Sequence, residues 1–256
     1  AGIKIFGTSS DSINLAEDRE AFTKLADKIG VAIPNYCIAK NYDEIVAYSE
    51  KATFPVLVRP SYVLGGRAMQ IVYSKKELVD YVFRSAEATS DHPILIDEFI
   101  EDAFEFDVDA LCDGKDVFIA GIMQHIEEAG VHSGDSSCVL PAHKISNKVK
   151  KEIIDVTTKL AKALNVVGLI NLQFAIQRDE NLKEKVYIIE ANPRASRTIP
   201  FVSKATGLPI ASLATSLLIG KTLSQLGIEK EPLPPLQTIK EAVLPFKRFP
   251  GSDSLL

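Results

Sequence analysis

A β-hairpin in the middle of the sequence constrains the fold more than any other feature. Between Phe104 and Asp113 acidic and apolar residues alternate, so carboxylates occupy one face of a strand and apolar side chains the other. Asp113-Gly114 is a strong turn signal, and it leads into a second apolar strand from Val117 to Gln124. Taken alone, the acidic face of residues 105–109 is expected to be a solvated strand surface.

Hydrophobic periodicity predicts further helices and strands around this hairpin. Helices are predicted over residues 11–30, 43–51, 75–89, 147–164 and 210–219, and strands over residues 54–59, 70–73, 93–99, 168–177 and 185–191. Hairpin-paired strands with interspersed helices indicate an α+β protein with a mostly antiparallel sheet. The predicted organisation is a remnant of a preceding domain at residues 1–11, a small lobe at 12–90, a large lobe at 91–245, and the start of a truncated following segment at 246–256.

Composition and charge exclude several classes of protein. The chain has 256 residues and a formal net charge of -5, so no global basic field would attract nucleic acid or an anionic membrane. No run of about 18 uninterrupted apolar residues predicts a transmembrane helix. The three cysteines, Cys37, Cys112 and Cys138, are far apart and lack a CxxC pattern. This favours buried, inert thiols in a reducing cytoplasm over disulfides or a zinc site.

Two predicted strands carry oxygen-bearing side chains at alternate positions: Asn171 and Gln173 on one strand, Glu190 and Asn192 on the other. Alternate side chains of a strand share a face, so pairing of the two strands would bring four oxygen donors together. Arg194 and Arg197 follow directly. Amide oxygens with one carboxylate and nearby cations suit Mg²⁺ bound with a polyphosphate. The alternative is a solvated strand end, which is where most single Asn and Gln residues lie.

A second candidate segment surrounds a Gly-Gly pair. Arg59 and Arg67 flank Gly65 and Gly66 between two predicted strands. Glycines let a backbone approach a phosphate closely, and arginine forms bidentate pairs with phosphate oxygens. We interpret the segment as a flexible phosphate flap, with a plain hairpin turn as the alternative.

Two further segments could line a nucleotide. Residues 129–137 combine two glycines, several hydroxyls and His132, which suits a ligand edge or, alternatively, a loop histidine that only hydrogen-bonds locally. Residues 96–100 form a strand that could present free backbone groups to a purine. Glu105 follows and could accept hydrogen bonds from ribose hydroxyls, as acidic residues do in dinucleotide sites.

The segments Val58–Met69, Gly130–Asp135 and Glu190–Arg197 resemble, in this order, the ATP-grasp module of the carbamoyl-phosphate synthetase large chain. The resemblance extends from about Gly2 to Leu256 and implies an ATP-grasp fold with a nucleotide between two α+β lobes. That large chain contains two related ATP-grasp halves. Residues 64–68 resemble the flap of the second half, which phosphorylates carbamate rather than bicarbonate.

The resemblance also implies roles for residues on the nucleotide side. Arg59 matches an arginine on the ATP phosphates, and Glu105 matches the ribose carboxylate. Glu98 and Ile100 match the adenine-side segment. The loop that closes over the nucleotide is matched by Gly130, Val131, His132 and Ser133.

On the phosphate side, the resemblance assigns metal ligands and acceptor contacts. Gln173, Glu190 and Asn192 match the ligands of divalent metals, Mg²⁺ or Mn²⁺, which agrees with the shared strand face derived above. Arg194 and Arg197 match arginines near the γ-phosphate and the acceptor.

The implied activity is ATP-dependent phosphorylation of carbamate to carbamoyl phosphate. The implied partners are the remainder of the large chain and a glutaminase small subunit, with no nucleic acid and no membrane. Two alternatives stay open: another ATP-grasp ligase that forms an acyl phosphate from bicarbonate, and a regulatory module that binds ATP without turnover.

Overall fold

The computed structural model describes residues 5–60, 70–86, 94–127 and 136–228, together with 232, 234, 236–241 and 243. The chain separates into two compact units: the smaller is Ala32–Ala103, and the larger combines Ala1–Val31 with Phe104–Leu256. Each unit is built on an antiparallel sheet of its own, with four strands in the smaller and six in the larger unit.

The described elements follow one another in mixed α and β order. They are α1 (Ser10–Glu17), α2 (Arg19–Lys28), β1 (Tyr36–Ala39), α3 (Tyr42–Ser49), β2 (Val56–Pro60), β3 (Gln70–Val72), α4 (Lys75–Ala86), β4 (Ile94–Glu98), β5 (Phe104–Asp113), β6 (Val117–His125), β7 (Cys138–Leu140), α5 (Asn147–Ala163), β8 (Val167–Arg178), β9 (Glu184–Asn192), α6 (Ile199–Thr206), α7 (Ile210–Leu218) and β10 (Thr238–Lys240).

The smaller unit has strand order β1-β4-β2-β3 and two helices, α3 and α4, that contact each other and the edge strands. Val56, Val58 and Ile96 are fully buried in its core. Two of these residues alternate along β2, so one face of the strand is apolar, as period-two patterning requires.

The larger unit has strand order β10-β7-β6-β5-β8-β9. The predicted hairpin is confirmed: β5 pairs with β6, and Gly114 takes a left-handed φ of 90° in the turn. Strand β5 also pairs with β8 along its whole length. Helix α5 contacts β5, β6, β8 and β9 through an apolar stripe, while α6 contacts β6 and α7 contacts β5 and β8. This arrangement places β6 and β5 at the centre of the sheet, with β8 between β5 and the edge strand β9.

Most predicted elements are present, with one break and several omissions. The single helix expected over residues 11–30 is two helices, because Asp18 adopts an extended conformation and its carboxylate caps α2 by accepting from the Ala21 amide at 2.8 Å. Four elements are not predicted from the sequence: β1, β7, α6 and β10.

The boundaries of the two units differ from those of the predicted lobes, which are residues 12–90 and 91–245. Helix α1 packs against α2 and β9, so this helix pair groups with the larger unit, while β4 pairs with β1 and β2 and groups with the smaller one. Residues 1–4 and 246–256 lie outside the described part of the chain.

The cysteine prediction needs one correction. Cys112 and Cys138 are buried free thiols, but Cys37 is only half-buried because it lies on β1, at an edge of the smaller sheet. Burial raises the pKa of Cys37 and of Cys112, which keeps both thiols protonated and unreactive. In the described residues no single helix is long and apolar enough to span a bilayer, and the pair α6 and α7 reaches that length only across a 113° bend.

Candidate functional site

The predicted oxygen donors lie side by side on the larger sheet. Strands β8 and β9 are antiparallel neighbours, with Asn171 opposite Asn192 and Gln173 opposite Glu190. Directly opposed residues on one sheet face bring their side chains within contact distance. Asn171 and Asn192 are buried, Gln173 is half-buried and Glu190 is exposed. The patch therefore runs from the sheet interior to solvent.

A β-bulge at Ile189 is what brings Glu190 onto this face. The register shifts between Gln173 and Phe174, so that Phe174 pairs with Ile188 but Gln173 pairs with Glu190. Without the extra residue, Glu190 would lie opposite Leu172 on the other face of the sheet, because a one-residue slip inverts every side chain. Arg19 of α2 donates to the Ile189 carbonyl at 3.1 Å, and so satisfies the backbone group that the bulge removes from the ladder.

Hydrogen bonds join the outer part of the patch to the following loop. Asn192 Nδ2 donates to Glu190 Oε1 at 2.6 Å, and Arg194 Nη2 donates to Asn192 Oδ1 at 3.0 Å. Arg194 also donates from Nη1 to the Ala195 carbonyl at 3.3 Å. The structure thus brings Gln173, Glu190, Asn192 and Arg194 together, while Arg197 lies exposed three residues further along the same loop.

The donor set fits a divalent cation that accepts hard oxygen ligands. Within the described residues no three His, Cys, Asp or Glu side chains form a metal-holding group, so a cation here would depend on amide oxygens and one carboxylate. Gln173, Glu190 and Asn192 supply that combination. The Asn192 oxygen accepts a hydrogen bond from Arg194, and Glu190 accepts one from Asn192. Mg²⁺, with few carboxylates and remaining ligands from water and phosphate, matches such a set.

A buried carboxylate on the neighbouring strand β5 bonds the inner end of the patch. Asp109 lies opposite Asn171 and is completely buried. Its Oδ1 accepts from Asn171 Nδ2 at 2.9 Å and from Ser196 Oγ at 2.7 Å, and its Oδ2 accepts from the Thr198 hydroxyl. Burial raises the pKa of Asp109 to about 6, although the hydrogen bonds from Thr198, Ser196 and Asn171 oppose that rise.

A second buried polar cluster lies next along β5 and β6. His125 Nε2 is 3.0 Å from Asp107 Oδ2, and His125 Nδ1 is 3.1 Å from Glu105 Oε2. The Ser136 hydroxyl lies 3.2 Å from His125 Nδ1 and 3.4 Å from Cys138 Sγ.

The carboxylates of this cluster hold the imidazole in its charged form. Burial lowers the pKa of His125, but hydrogen bonds to Asp107, Cys138 and Glu105 outweigh burial and raise it to about 12. Asp107 Oδ1, also fully buried, has no hydrogen-bond partner among the described residues. Asp107 lies directly opposite Gln173, so its side chain is in the same cross-strand row as this residue of the patch.

The remaining predicted site residues fall into two groups. Glu98 and Ile100 belong to the smaller unit, where Glu98 accepts from the backbone and side-chain amides of Asn35 at 3.2 and 2.7 Å and Ile100 is buried. Arg59 lies on β2, but its side chain is not described. The flap around Gly65 and Gly66 and the loop of Gly130, Val131, His132 and Ser133 also lie outside the described residues. Their predicted roles stay predictions.

The expected solvated face of residues 105–109 is wrong. Asp107 and Asp109 are both completely buried, since β5 lies between β6 and β8 and polar partners from other segments cover the face. No role is predicted for His125, Ser196 or Thr198 from the sequence. One signal was available: three carboxylates at alternate positions of an otherwise apolar strand, where a buried charge requires partners.

The comparisons with known proteins agree with this geometry. The sequence family described as "Carbamoyl-phosphate synthase L chain, ATP binding domain" matches residues 18–226. The chain belongs to this family. It is 53% identical over 256 residues to the carbamoyl phosphate synthase large chain of Methanothermobacter thermautotrophicus, and the match covers 100% of this chain and 24% of that protein. It is 54% identical over 255 residues to the large chain of a Synechocystis species, covering 99% and 23% respectively.

The family relatives are much longer, because this chain spans about a quarter of their length. Solved structures of lower identity share the fold. The biotin carboxylase domain of the Hydrogenobacter thermophilus 2-oxoglutarate carboxylase, a complex with MgADP, ADP and bicarbonate, has a TM-score of 0.75 at 20% identity and covers 93% of this chain and 52% of its own. Campylobacter jejuni biotin carboxylase has a TM-score of 0.74 at 21% identity, covering 89% and 52%. The chain therefore has the α+β ATP-grasp fold.

Proposed function

We propose that this chain phosphorylates carbamate with ATP to form carbamoyl phosphate and ADP, as the ATP-grasp domain of the second half of a carbamoyl-phosphate synthase large chain. The observation that carries the proposal is the cross-strand patch of Gln173, Glu190 and Asn192, with Arg194 bonded to it. Family membership supports ATP as the nucleotide. The MgADP complex of the 2-oxoglutarate carboxylase domain supports Mg²⁺ as the ion, and Mn²⁺ is an alternative of the same ligand preference.

The side chains of the patch suit phosphoryl transfer, which asks a protein for positioning and charge neutralisation rather than covalent catalysis. A bound Mg²⁺, held by Gln173, Glu190 and Asn192, would neutralise charge on the β- and γ-phosphates. Arg194 and Arg197 would orient the acceptor carboxylate. That acceptor's oxygen forms a bond to the γ-phosphorus while the bond from phosphorus to the ADP oxygen breaks. No side-chain nucleophile is required.

Roles on the nucleotide side are carried over from the family resemblance. Arg59 would contact the phosphates, Glu98 and Ile100 the adenine side, and Glu105 the ribose. The pairing of Glu105 with His125 fixes that carboxylate in a defined position, as a ribose acceptor requires. Residues 130–133 would close over the nucleotide.

The choice of carbamate over bicarbonate depends on the sequence of residues 64–68, which resembles the flap of the second half. The proposal includes the rest of the large chain, and a glutaminase subunit that supplies ammonia for carbamate formation. A cytoplasmic location suits both the free thiols and the ATP requirement.

The test compares wild-type protein with Glu190→Gln in the complete polypeptide that contains these residues. ADP release is measured with saturating MgATP and either bicarbonate alone or freshly dissolved carbamate. We expect carbamate to add an increment of ADP release to the wild type, and Glu190→Gln to remove that increment while release with bicarbonate alone persists.

Each alternative function predicts a different result. If this domain phosphorylates bicarbonate, Glu190→Gln abolishes the bicarbonate-dependent release instead. If the domain is a regulatory ATP-binding module, Glu190→Gln weakens nucleotide binding but leaves ADP release unchanged, both with bicarbonate alone and with carbamate, and the proposal fails.

A further inference from the structure

The loop that carries both arginines is tied to the sheet by one buried carboxylate. The loop runs from the end of β9, at Asn192, to the start of α6, at Ile199. Ser196 and Thr198 alternate with Arg197 in it, and both of their hydroxyls donate to Asp109, at 2.7 Å from Ser196 to Oδ1 and from Thr198 to Oδ2. The two hydroxyls are also 2.6 Å apart.

The hydroxyl of Thr198 donates to this carboxylate instead of capping the helix that follows. Thr198 is the N-cap residue of α6, a position where threonine commonly accepts from the first turn of the helix. Here it makes no side-chain cap bond in the described structure, and its backbone is helical rather than extended, with φ −83° and ψ −17°. The side chain instead turns toward Asp109, so helix capping does not explain the threonine.

The same carboxylate holds the interior of the oxygen-donor patch. Asn171 donates to Asp109 Oδ1 at 2.9 Å and lies opposite Asn192 across the β8–β9 pair. Asn192 in turn accepts from Arg194 at 3.0 Å. Asp109 therefore contacts both the strand that carries the metal-side amides and the loop that carries the arginines, and its hydrogen bonds link the two. Charge-assisted hydrogen bonds to an ionised carboxylate are well suited to this purpose.

From these contacts we infer that Asp109 is a positioning residue for phosphoryl transfer: it fixes the loop of Arg194 and Arg197 relative to the amides of β8 and β9. This inference rests on the proposed function for its catalytic consequence. The structural consequence, the order of the loop, is independent of the proposed function, because loop order can be measured without any substrate. Asp109 itself lies on the neighbouring strand, in the same cross-strand row as Asn171 and Asn192, and acts through Asn171, Ser196 and Thr198.

The chain offers a matched pair of variants at the loop end of the network. Thr198→Ser retains the hydroxyl, and Thr198→Val replaces it with a methyl group of similar size. Asp109→Asn removes the charge from the other end. The control is Asp113→Asn, because Asp113 is also on β5 but accepts from the backbone amides of Lys115, Asp116 and Leu223, away from the arginine loop.

The first readout is loop order, measured in the complete polypeptide as the rate at which trypsin produces fragments ending at Arg194 or Arg197. We expect Thr198→Val and Asp109→Asn to raise that rate at least about 10-fold over the wild type, because local opening exposes the cleavage sites. Thr198→Ser and Asp113→Asn should cleave there at wild-type rates. Equal rates in Thr198→Val and Thr198→Ser would overturn the inference.

The second readout separates positioning from general stability. The Kd for an ATP analogue should change little in Thr198→Val, while kcat for carbamate-dependent ADP release falls about 10- to 100-fold, the range for losing a group that orients a ligand-binding residue. Thr198→Ser should restore kcat. A loss of nucleotide affinity with kcat unchanged would assign Asp109 a merely structural role. If the wild type shows no carbamate-dependent release, the proposed function fails, and the trypsin readout still decides the loop inference.

Discussion

The two faces of strand β8 carry opposite kinds of side chain. Phe174, Leu172 and Ile170 are completely buried and belong to an apolar face. One position away, Gln173 and Asn171 belong to a polar face that also contains Asp107 and Asp109. Burial of carboxylates and amides costs free energy unless each is paired, whereas burial of apolar side chains is favourable in itself.

The difference indicates which face exists for function. The apolar face needs only shape and volume to be stable, and many sequences could supply it. The polar face requires specific partners from β5, β6, β8, β9 and the loop before α6. Well-packed hydrophobic residues in place of these buried polar groups could stabilise the fold as well as the polar groups do. We therefore expect substitutions of Gln173 and Glu190, the more accessible residues of the polar face, to lower activity more than stability, and substitutions on the apolar face to do the reverse.

The largest expected effect is that of Glu190→Gln, which removes the only carboxylate of the donor patch. A divalent cation loses its anionic ligand, so we expect transfer to carbamate to fall more than roughly 10³-fold, at or beyond the upper end for loss of one charge-stabilising group. The melting temperature should change by no more than a few degrees. ADP formation at saturating Mg²⁺ and a thermal melt measure the two quantities.

The control for that variant is Glu184→Gln, at the opposite end of β9. Glu184 pairs with Arg178 at 2.9 Å and accepts from Ser146 at 2.6 Å, outside the patch. Its replacement should leave turnover near the wild-type value. Near-normal turnover in Glu190→Gln, or equal losses in both variants, would remove Glu190 from the metal site.

The neighbouring residues Gln173 and Phe174 sharpen the comparison between the faces. Phe174→Ala should lower the free energy of unfolding by about 3–5 kcal/mol, because it leaves a cavity in the apolar face. Gln173→Ala should change that free energy by no more than about 1 kcal/mol but raise the Mg²⁺ concentration needed for half-maximal turnover. Urea unfolding and a Mg²⁺ titration distinguish them. A stable Phe174→Ala beside an unstable Gln173→Ala would invert our assignment of the faces.

Arg197→Ala should lower turnover without lowering nucleotide affinity. Arg197 lies in the loop beyond the metal-side strand, where the acceptor is expected to bind, so its charge would act mainly in the transition state. We expect kcat to fall on the order of 10²- to 10³-fold while the Kd for ATP stays within about threefold of the wild type. Titration with ATP and an assay of carbamoyl phosphate formation give the two values.

Arg178→Ala is the matched control for Arg197→Ala, since Arg178 pairs with Glu184 at the far end of β8. It should leave both constants unchanged. If Arg197→Ala loses ATP affinity and keeps its turnover at saturating ATP, Arg197 contacts the nucleotide and not the acceptor.

The smallest expected effect is a pH-dependent change in stability at His125, which contacts Asp107 of the polar face. Its pKa is raised from 6.5 to about 12, so the stability it contributes is complete below pH 6.5 and is lost progressively as pH rises toward 12. The difference in unfolding free energy between wild type and His125→Gln should therefore narrow by about 1.4 kcal/mol for each pH unit above 7. Urea unfolding at pH 7 and pH 8.5 measures it, and an unchanged difference would mean that the folded imidazole is neutral.

Much of the polar face could be predicted from the sequence, because period-two spacing is a local property. The shared faces of Asn171 with Gln173 and of Glu190 with Asn192 follow from side-chain alternation, and the register of the paired strands confirms them. The hairpin at Asp113-Gly114 is equally local. Sequence similarity to a family then supplied the roles of these residues, which spacing alone does not determine.

The parts that could not be predicted depend on contacts between distant segments. The bulge at Ile189 is supported by Arg19, which is 170 residues away along the chain. The burial of Asp109 depends on hydroxyls 87 and 89 residues further on, in a loop whose following helix, α6, was not predicted. Local patterns contain no information about which distant group will cover a carboxylate, so a solvated face was the natural expectation for residues 105–109.

The central claim, that the polar face catalyses phosphoryl transfer between ATP and carbamate, is tested most directly in the reverse direction. Transfer is reversible, so carbamoyl phosphate and MgADP, supplied to the complete polypeptide without bicarbonate, ammonia or glutamine, should produce ATP and carbamate. We predict ATP formation in the wild type and in Glu184→Gln, and its loss in Glu190→Gln. Absence of ATP in the wild type under conditions where ADP binds, or ATP formation that survives Glu190→Gln, would contradict the account.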